Sequence, residues 1–132
     1  MIKIGVLGAG HLGKIHLKCL SGLPELFQIV GFYDPIEEVG KKVTEEFGFT
    51  YFSSIDKLIE EVDAIDIVTP TLNHFECALK AIKAGKHIFV EKPITETPEQ
   101  AKELMELSEA AKLTAQVGHV ERFNPALLAA KE

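Results

Sequence analysis

Apolar positions along the chain follow two alternating rhythms. Short runs with little polar interruption have strand length: Ile2–Leu7 (IKIGVL), residues 28–33 (QIVGFY), 64–68 (AIDIV), 87–90 (HIFV) and 114–118 (TAQVG). Between them apolar side chains step at helical spacing. Leu12, Ile15, His16, Cys19 and Leu20 form one such face before a break at residues 22–24. Ile36, Val39, Val43 and Phe47 form a second, closed by Gly48. Phe75, Ala78, Leu79 and Ile82 form a third, stopped by Gly85, and Ala101, Leu104, Leu107 and Ala111 a fourth. Residues 50–52 predict a brief extra strand, and Ser54 caps a short helix carrying Ile55, Leu58 and Ile59. "TPEQ", residues 97–100, is a strong helix start, with a Thr cap, Pro at the first helical position and Gln three residues after the cap.

Apolar strands alternating with helices imply a parallel sheet covered on both faces. The chain therefore predicts an α/β fold, a doubly wound parallel sheet of six strands in the order 3-2-1-4-5-6, of Rossmann type. Its 132 residues suit one domain, and the 46% apolar and 26% charged content is ordinary for a globular chain.

The net charge of −6, with no clustered Lys/Arg run, argues against nucleic acid or an anionic membrane as a partner. No apolar stretch reaches membrane-spanning length, and Met1 leads directly into a core strand with no basic leader. A cytoplasmic location is expected. Cys19 and Cys77 each fall on the apolar side of a predicted helix, where free cysteine acts as a small hydrophobe; a reactive thiol or a disulfide is the alternative. The five histidines form no metal set, His11 and His16 being on the wrong helical spacing for shared ligation.

"GVLGAGHLGKIH", residues 5–16, carries G-x-G-x-x-G at Gly8, Gly10 and Gly13. The spacing alone is weak, but a strand precedes it, a helix opens inside it, and an acidic residue ends the next strand. Gly8 allows a tight turn, Gly10 lets backbone approach a pyrophosphate, and Gly13 lets the helix lie close to the sheet. His11 and Leu12 add backbone N–H groups at the helix start, where a phosphate is favoured. The alternative is a plain strand–turn–helix packing motif. Asp34 follows Gly13 by 21 residues. Its carboxylate is placed to accept from the adenosine ribose hydroxyls and to oppose a 2′-phosphate, so NAD is expected as cofactor over NADP. Capping the next helix is a compatible role.

Glu91, Lys92 and Pro93 stand together after the fifth strand, at the sheet edge where ligands bind. Lys92 is suited to hydrogen-bond a substrate hydroxyl and to assist its proton loss. By position alone, a solvated surface pair beside a turn proline is an equal reading.

"GVLGAGHLGKIH" together with "TPTLNHFECALKAIKAGKHIFVEKP" resembles the glucose–fructose oxidoreductase / inositol dehydrogenase / rhizopine-catabolism (Gfo/Idh/MocA) family of nicotinamide-dependent oxidoreductases, over essentially the whole chain. The resemblance implies that Lys92 contacts the reacting hydroxyl and the nicotinamide ribose, that Glu91 lies beside the nicotinamide end, and that the Lys92–Pro93 peptide is cis. It places Thr69, Pro70 and His74 on a loop along the cofactor, although residues 71–74 also read as a helix start. The tail "GHVERFNPA" is similar to members that oxidise nucleotide-linked amino sugars, which would put His119, Arg122 and Asn124 on the substrate side. An interdomain connection with Arg122 in a structural ion pair is the favoured reading there.

The implied function is that of the cofactor domain (residues 1–119) of an NAD-dependent dehydrogenase, oxidising a secondary hydroxyl of a sugar or nucleotide sugar or running the reverse. Residues 120–132 would begin the connection to a second domain that supplies substrate site and homo-oligomer interface. The chain alone is then expected to bind NAD without turnover. The rivals are a non-catalytic nucleotide-binding or sensor module, which has no use for Glu91-Lys92-Pro93, and a reductase of a non-sugar carbonyl.

Overall fold

The computed structural model describes residues 1–131. Strands β1 (Ile2–Leu7), β2 (Phe27–Tyr33), β3 (Tyr51–Phe52), β4 (Ala64–Ile67), β5 (His87–Glu91) and β6 (Ala115–Gly118) form one sheet in the order β3-β2-β1-β4-β5-β6. Every pairing is parallel. Helices α1 (His11–Ser21), α2 (Glu37–Phe47), α3 (Ile55–Glu60), α4 (His74–Lys83) and α5 (Pro98–Ala110) connect the strands, and α6 (Pro125–Ala129) follows β6. This is the Rossmann-type doubly wound sheet that the alternating rhythms imply.

Strand side chains alternate between the two faces, and the sequence fills them unequally. Leu7, Ile65, Ile67, Ile88 and Val90 pack with Leu58 and Ile59 of α3, Cys77, Ala78, Ala81 and Ile82 of α4, and Leu104 of α5. On the other face Val6 and Phe32 pack with Leu17 of α1 and Val43 of α2. Switching of the covering helices from one face to the other between β1 and β4 opens a crevice at the strands' C-terminal ends.

Local signals set the helix boundaries. Ser54 Oγ accepts from the Lys57 amide, and Thr97 Oγ1 accepts from that of Gln100 with Pro98 in the first turn. Gly48 and Gly85 take left-handed conformations, φ 76° and 74°, just past α2 and α4. The apolar face predicted for α1 is corrected. Gly13 and Leu17 face the sheet, while Leu12 (43% exposed), Ile15 (41%) and Cys19 face water. Close helix–sheet approach at Gly13 selects the face, since the residue four further on must follow it inward. Cys19 is thus no core hydrophobe, whereas Cys77 is. Ala111 is also exposed, because it caps α5 beyond its last buried turn; there Ser108 is buried, its hydroxyl donating 2.9 Å to the Met105 carbonyl.

A Cβ on Gly13 would lie 2.0 Å from the Gly8 carbonyl oxygen, whereas one on Gly10 would meet nothing within 4 Å. Gly13→Ala is therefore expected to lower unfolding free energy by about 3 kcal/mol or more, beyond ordinary overpacking, because backbone rather than a side chain must yield. Gly10→Ala is expected to cost only about 0.5–1 kcal/mol, the difference between Gly and Ala as an N-cap. Urea denaturation of both variants checks this; equal losses would contradict the packing account.

Candidate functional site

The turn from β1 into α1 is built by glycine for two different reasons. Gly8 has φ 96°, and a Cβ there would sit 2.7 Å from the Val68 carbonyl oxygen, so fold geometry alone requires glycine. At Gly10 the conformation is unstrained, φ −66°, and the surrounding space is empty. Nothing in the fold explains glycine there. Gly10 also caps α1 without a side chain, and the first turn of α1 carries no acidic residue, so the helix's amide end is left for an anion. His11 and Leu12 in that turn are exposed. Room beside Gly10 and uncapped amides together fit a diphosphate.

Asp34 directly follows β2 next to this turn and is 7% exposed. Its Oδ2 accepts from the Ala9 amide at 2.9 Å and its Oδ1 from the Ile36 amide at 2.9 Å. The Tyr51 hydroxyl donates to the Asp34 carbonyl at 3.2 Å. The carboxylate is thus pinned between the glycine turn and the approach to α2, and each oxygen keeps capacity for another donor.

On the far side of α1, β5 ends in Glu91 and an exposed Lys92, and the Lys92–Pro93 peptide is cis, as expected. His74, at the start of α4, is 1% exposed; Nδ1 lies 2.8 Å from the Pro93 carbonyl oxygen and Nε2 2.8 Å from that of Thr69. With both nitrogens engaged by backbone, His74 ties the loop after β4 to the loop after β5 instead of presenting a free nitrogen. Thr69 is half-buried and Pro70 is exposed on that loop.

A second histidine, read in the sequence as part of an apolar stripe and set aside as a metal ligand, lies between these parts. His16 Nδ1 is 2.8 Å from Asp66 Oδ2, and Nε2 is 3.3 Å from Glu91 Oε1. Side-chain exposures of 16%, 5% and 13% make the trio largely buried. The hydrogen bond to Asp66, aided by the charges of Asp66 and Glu91, raises the His16 pKa against the opposing effect of burial. Burial pushes the Asp66 carboxyl up, with His16 opposing. One signal in the sequence could have found Asp66, though not its partner: an aspartate inside the apolar strand AIDIV is seldom buried unpaired.

An open cleft of about 510 Å³ beside this trio is lined by His16, Phe89, Glu91, Gly118, His119 and Arg122, among others. His119 and Arg122 are exposed there. The ion pair expected for Arg122 is corrected: among the described residues no carboxylate lies within pairing distance of it. Asn124 does not reach toward the cleft's groups. Its Oδ1 accepts from the Ala126 amide at 3.0 Å and its Nδ2 donates to Glu121 at 2.8 Å, a helix cap for α6. Among the described residues no side chains converge as a metal set, and no helix is long and apolar enough to cross a membrane.

Residues 2–119 match the family described as "Oxidoreductase family, NAD-binding Rossmann fold" (GFO_IDH_MocA). The chain belongs to this family. UDP-N-acetylglucosamine 3-dehydrogenase of Acidithiobacillus ferrooxidans is 37% identical over 96% of this chain and 39% of its own length. The scyllo-inositol 2-dehydrogenase (NAD(+)) of Bacillus subtilis is 36% identical over 98% of this chain, again 39% of its length. The solved structure of the Acidithiobacillus ferrooxidans enzyme superposes with a TM-score of 0.88 at 36% identity, covering 98% of this chain and 41% of that one. The chain thus spans about two-fifths of the length of the relatives it matches, and the family's NAD-binding fold is the part they share.

Because the folded pKa of His16 is raised, its contribution to stability is complete below the unfolded histidine value of about 6.5 and is lost as pH rises through the folded value. Asp66, also raised, acts in the same sense from lower pH. The stability difference between the wild type and His16→Gln should therefore shrink on going from pH 6 to pH 9, measured by urea denaturation at each pH. A difference independent of pH would contradict the ionic reading of this contact.

Proposed function

We propose that residues 1–119 are the cofactor domain of an NAD-dependent oxidoreductase that oxidises a secondary hydroxyl of a sugar or nucleotide sugar, or reduces the corresponding ketone. One observation carries the reading. The uncapped amide end at Gly10, the anchored Asp34 carboxylate and the exposed Lys92 all lie at the C-terminal edge of one parallel sheet. Two relatives that share this domain are named as dehydrogenases of a nucleotide sugar and an inositol.

The amides of His11, Leu12 and Gly13 would hold the diphosphate, and Asp34 would accept from the adenosine ribose. Thr69 and Pro70 would flank the cofactor on a loop that His74 holds in place, with Glu91 beside the nicotinamide end. Bound NAD supplies the hydride acceptor at its nicotinamide ring. Lys92 Nζ would hydrogen-bond the substrate oxygen, orient the carbinol hydrogen and stabilise negative charge on that oxygen as its proton leaves. His119 and Arg122 would face the substrate from the cleft. Residues 120–132 would begin a connection to further structure, a reading supported by the exposed Val120, Phe123, Leu127 and Leu128. Such apolar surface also supports self-association of the whole protein. A cytoplasmic site of action belongs to the same reading.

Calorimetric titration of this chain tests the assignment. NAD should bind at least roughly tenfold more tightly than NADP, the scale of one charge-assisted hydrogen bond exchanged for a repulsion. Asp34→Asn should narrow that gap, and Gly10→Ala should weaken NAD binding roughly tenfold or more while leaving the fold intact. Equal affinity for both cofactors would remove Asp34 from the site, and unchanged binding by Gly10→Ala would remove the glycine turn.

A further inference from the structure

We propose that His16 is a positioning residue for Lys92: held from behind by Asp66, it pairs through Nε2 with Glu91 and thereby fixes the corner of backbone that carries the Lys92 side chain. The inference rests on the reading of Lys92 as the group that meets the substrate oxygen. The contacts run as a chain from three elements of the fold. Asp66 Oδ2 of β4 lies 2.8 Å from His16 Nδ1 of α1, His16 Nε2 lies 3.3 Å from Glu91 Oε1 of β5, and Glu91 Oε2 accepts from the Lys92 amide at 3.3 Å.

Surrounding residues fit this arrangement. A Cβ on Gly118 of β6 would fall 2.6 Å from Glu91 Oε1, so the neighbouring strand leaves space where this carboxylate pose needs it. Phe89 packs against the imidazole edge at 6.1 Å between centroids. Asp66 Oδ1 is buried with no partner among the described residues, leaving His16 as the only donor to that carboxylate. An apolar side chain would cover Asp66's strand at lower desolvation cost, so packing does not explain the trio.

Proton inventory makes the contact conditional. Whether the shared proton sits on Nδ1 or on Asp66, Nε2–H remains free to donate to Glu91. Once that proton is lost, the single remaining ring hydrogen goes to Nδ1, facing the more buried carboxylate. Nε2 then turns a lone pair toward Glu91, and the Glu91 arm is released. Among the described residues no other charged group lies within ion-pairing distance of His16, Asp66 or Glu91. Lys14 pairs with Glu46 at 3.5 Å and Lys18 lies over the Phe47 ring, both toward α2, while His119 and Arg122 line the open cleft.

The test is an NMR titration of the cofactor-free chain, following the His16 ring nitrogens and the Lys92 backbone amide together. The expected result is one shared midpoint, lying above the ordinary histidine value, with the Lys92 amide shifting and losing hydrogen-exchange protection as His16 gives up its proton. In Glu91→Gln the His16 titration should persist and the Lys92 response should be lost; His16→Gln should abolish the Lys92 response directly. A Lys92 amide that ignores the His16 midpoint, or that follows it equally in Glu91→Gln, overturns the proposal. NAD titration of the same samples keeps the two readings separate. Coupled Lys92 and His16 signals without NAD binding would sustain the positioning contact and sink the cofactor assignment, and binding without coupling would do the reverse.

Discussion

No side chain fits between Gly13 and the Gly8 carbonyl, because even a methyl group would lie 2.0 Å from that oxygen. Much of the arrangement follows from this close approach of helix to strand. It sets α1 against the end of β1 and brings its amide end to the sheet's C-terminal edge. Leu17, one turn beyond Gly13, enters the core with Val6 and Phe32, while Leu12 and Ile15 are turned outward. His16, three residues beyond, is carried over β4 and β5, where Asp66 and Glu91 stand.

The sheet's two faces answer different demands. Beneath α3, α4 and α5 the fully buried strand side chains are aliphatic, with Tyr33 and Phe52 packed at the margin, a core whose large-to-small substitutions cost about 2–5 kcal/mol each. On the α1 side, Val6 and Phe32 give way across the sheet to Asp66, Phe89 and Glu91. Asp66 is level with Val6 and Phe89 in register, so a charge occupies a position that packing alone would fill with a hydrocarbon. Such a charge persists only where it is paired, and His16 supplies the pair. The polar half of that face lies beside the exposed Lys92, and the polarity and the chemistry share one edge.

Strand order and element sequence were legible because each strand is a short apolar run and each helix carries its own stop or cap. Thr97, Ser54, Gly48 and Gly85 do in the structure what their chemistry implies. The family could be read from the glycine turn and the block ending in Glu91-Lys92-Pro93. The inward face of α1 could not. Counting apolar residues favours Leu12, Ile15 and Cys19, but a glycine with no side chain decides which way the helix turns, and hydrophobic periodicity gives glycine no weight. The partnership of His16 with Asp66 was hidden for a related reason. The residues are 50 apart in the chain and meet only through the crossover between sheet halves, so no local spacing reports them. Asn124 shows the opposite error: a polar side chain near a cleft is spent on capping its own short helix.

The central claim is that the open amide end of α1, Asp34 and the Lys92 corner form one cofactor-binding edge. Mapping backbone amide shifts of the labelled chain during addition of NAD tests it most directly. The account expects saturable shifts concentrated at residues 9–13, around Asp34, on the Thr69–Pro70 loop and at Lys92, with the far ends of α2 and α5 unmoved. Saturable binding whose shifts lie on the opposite sheet edge, or no saturable shifts at residues 9–13, would contradict it.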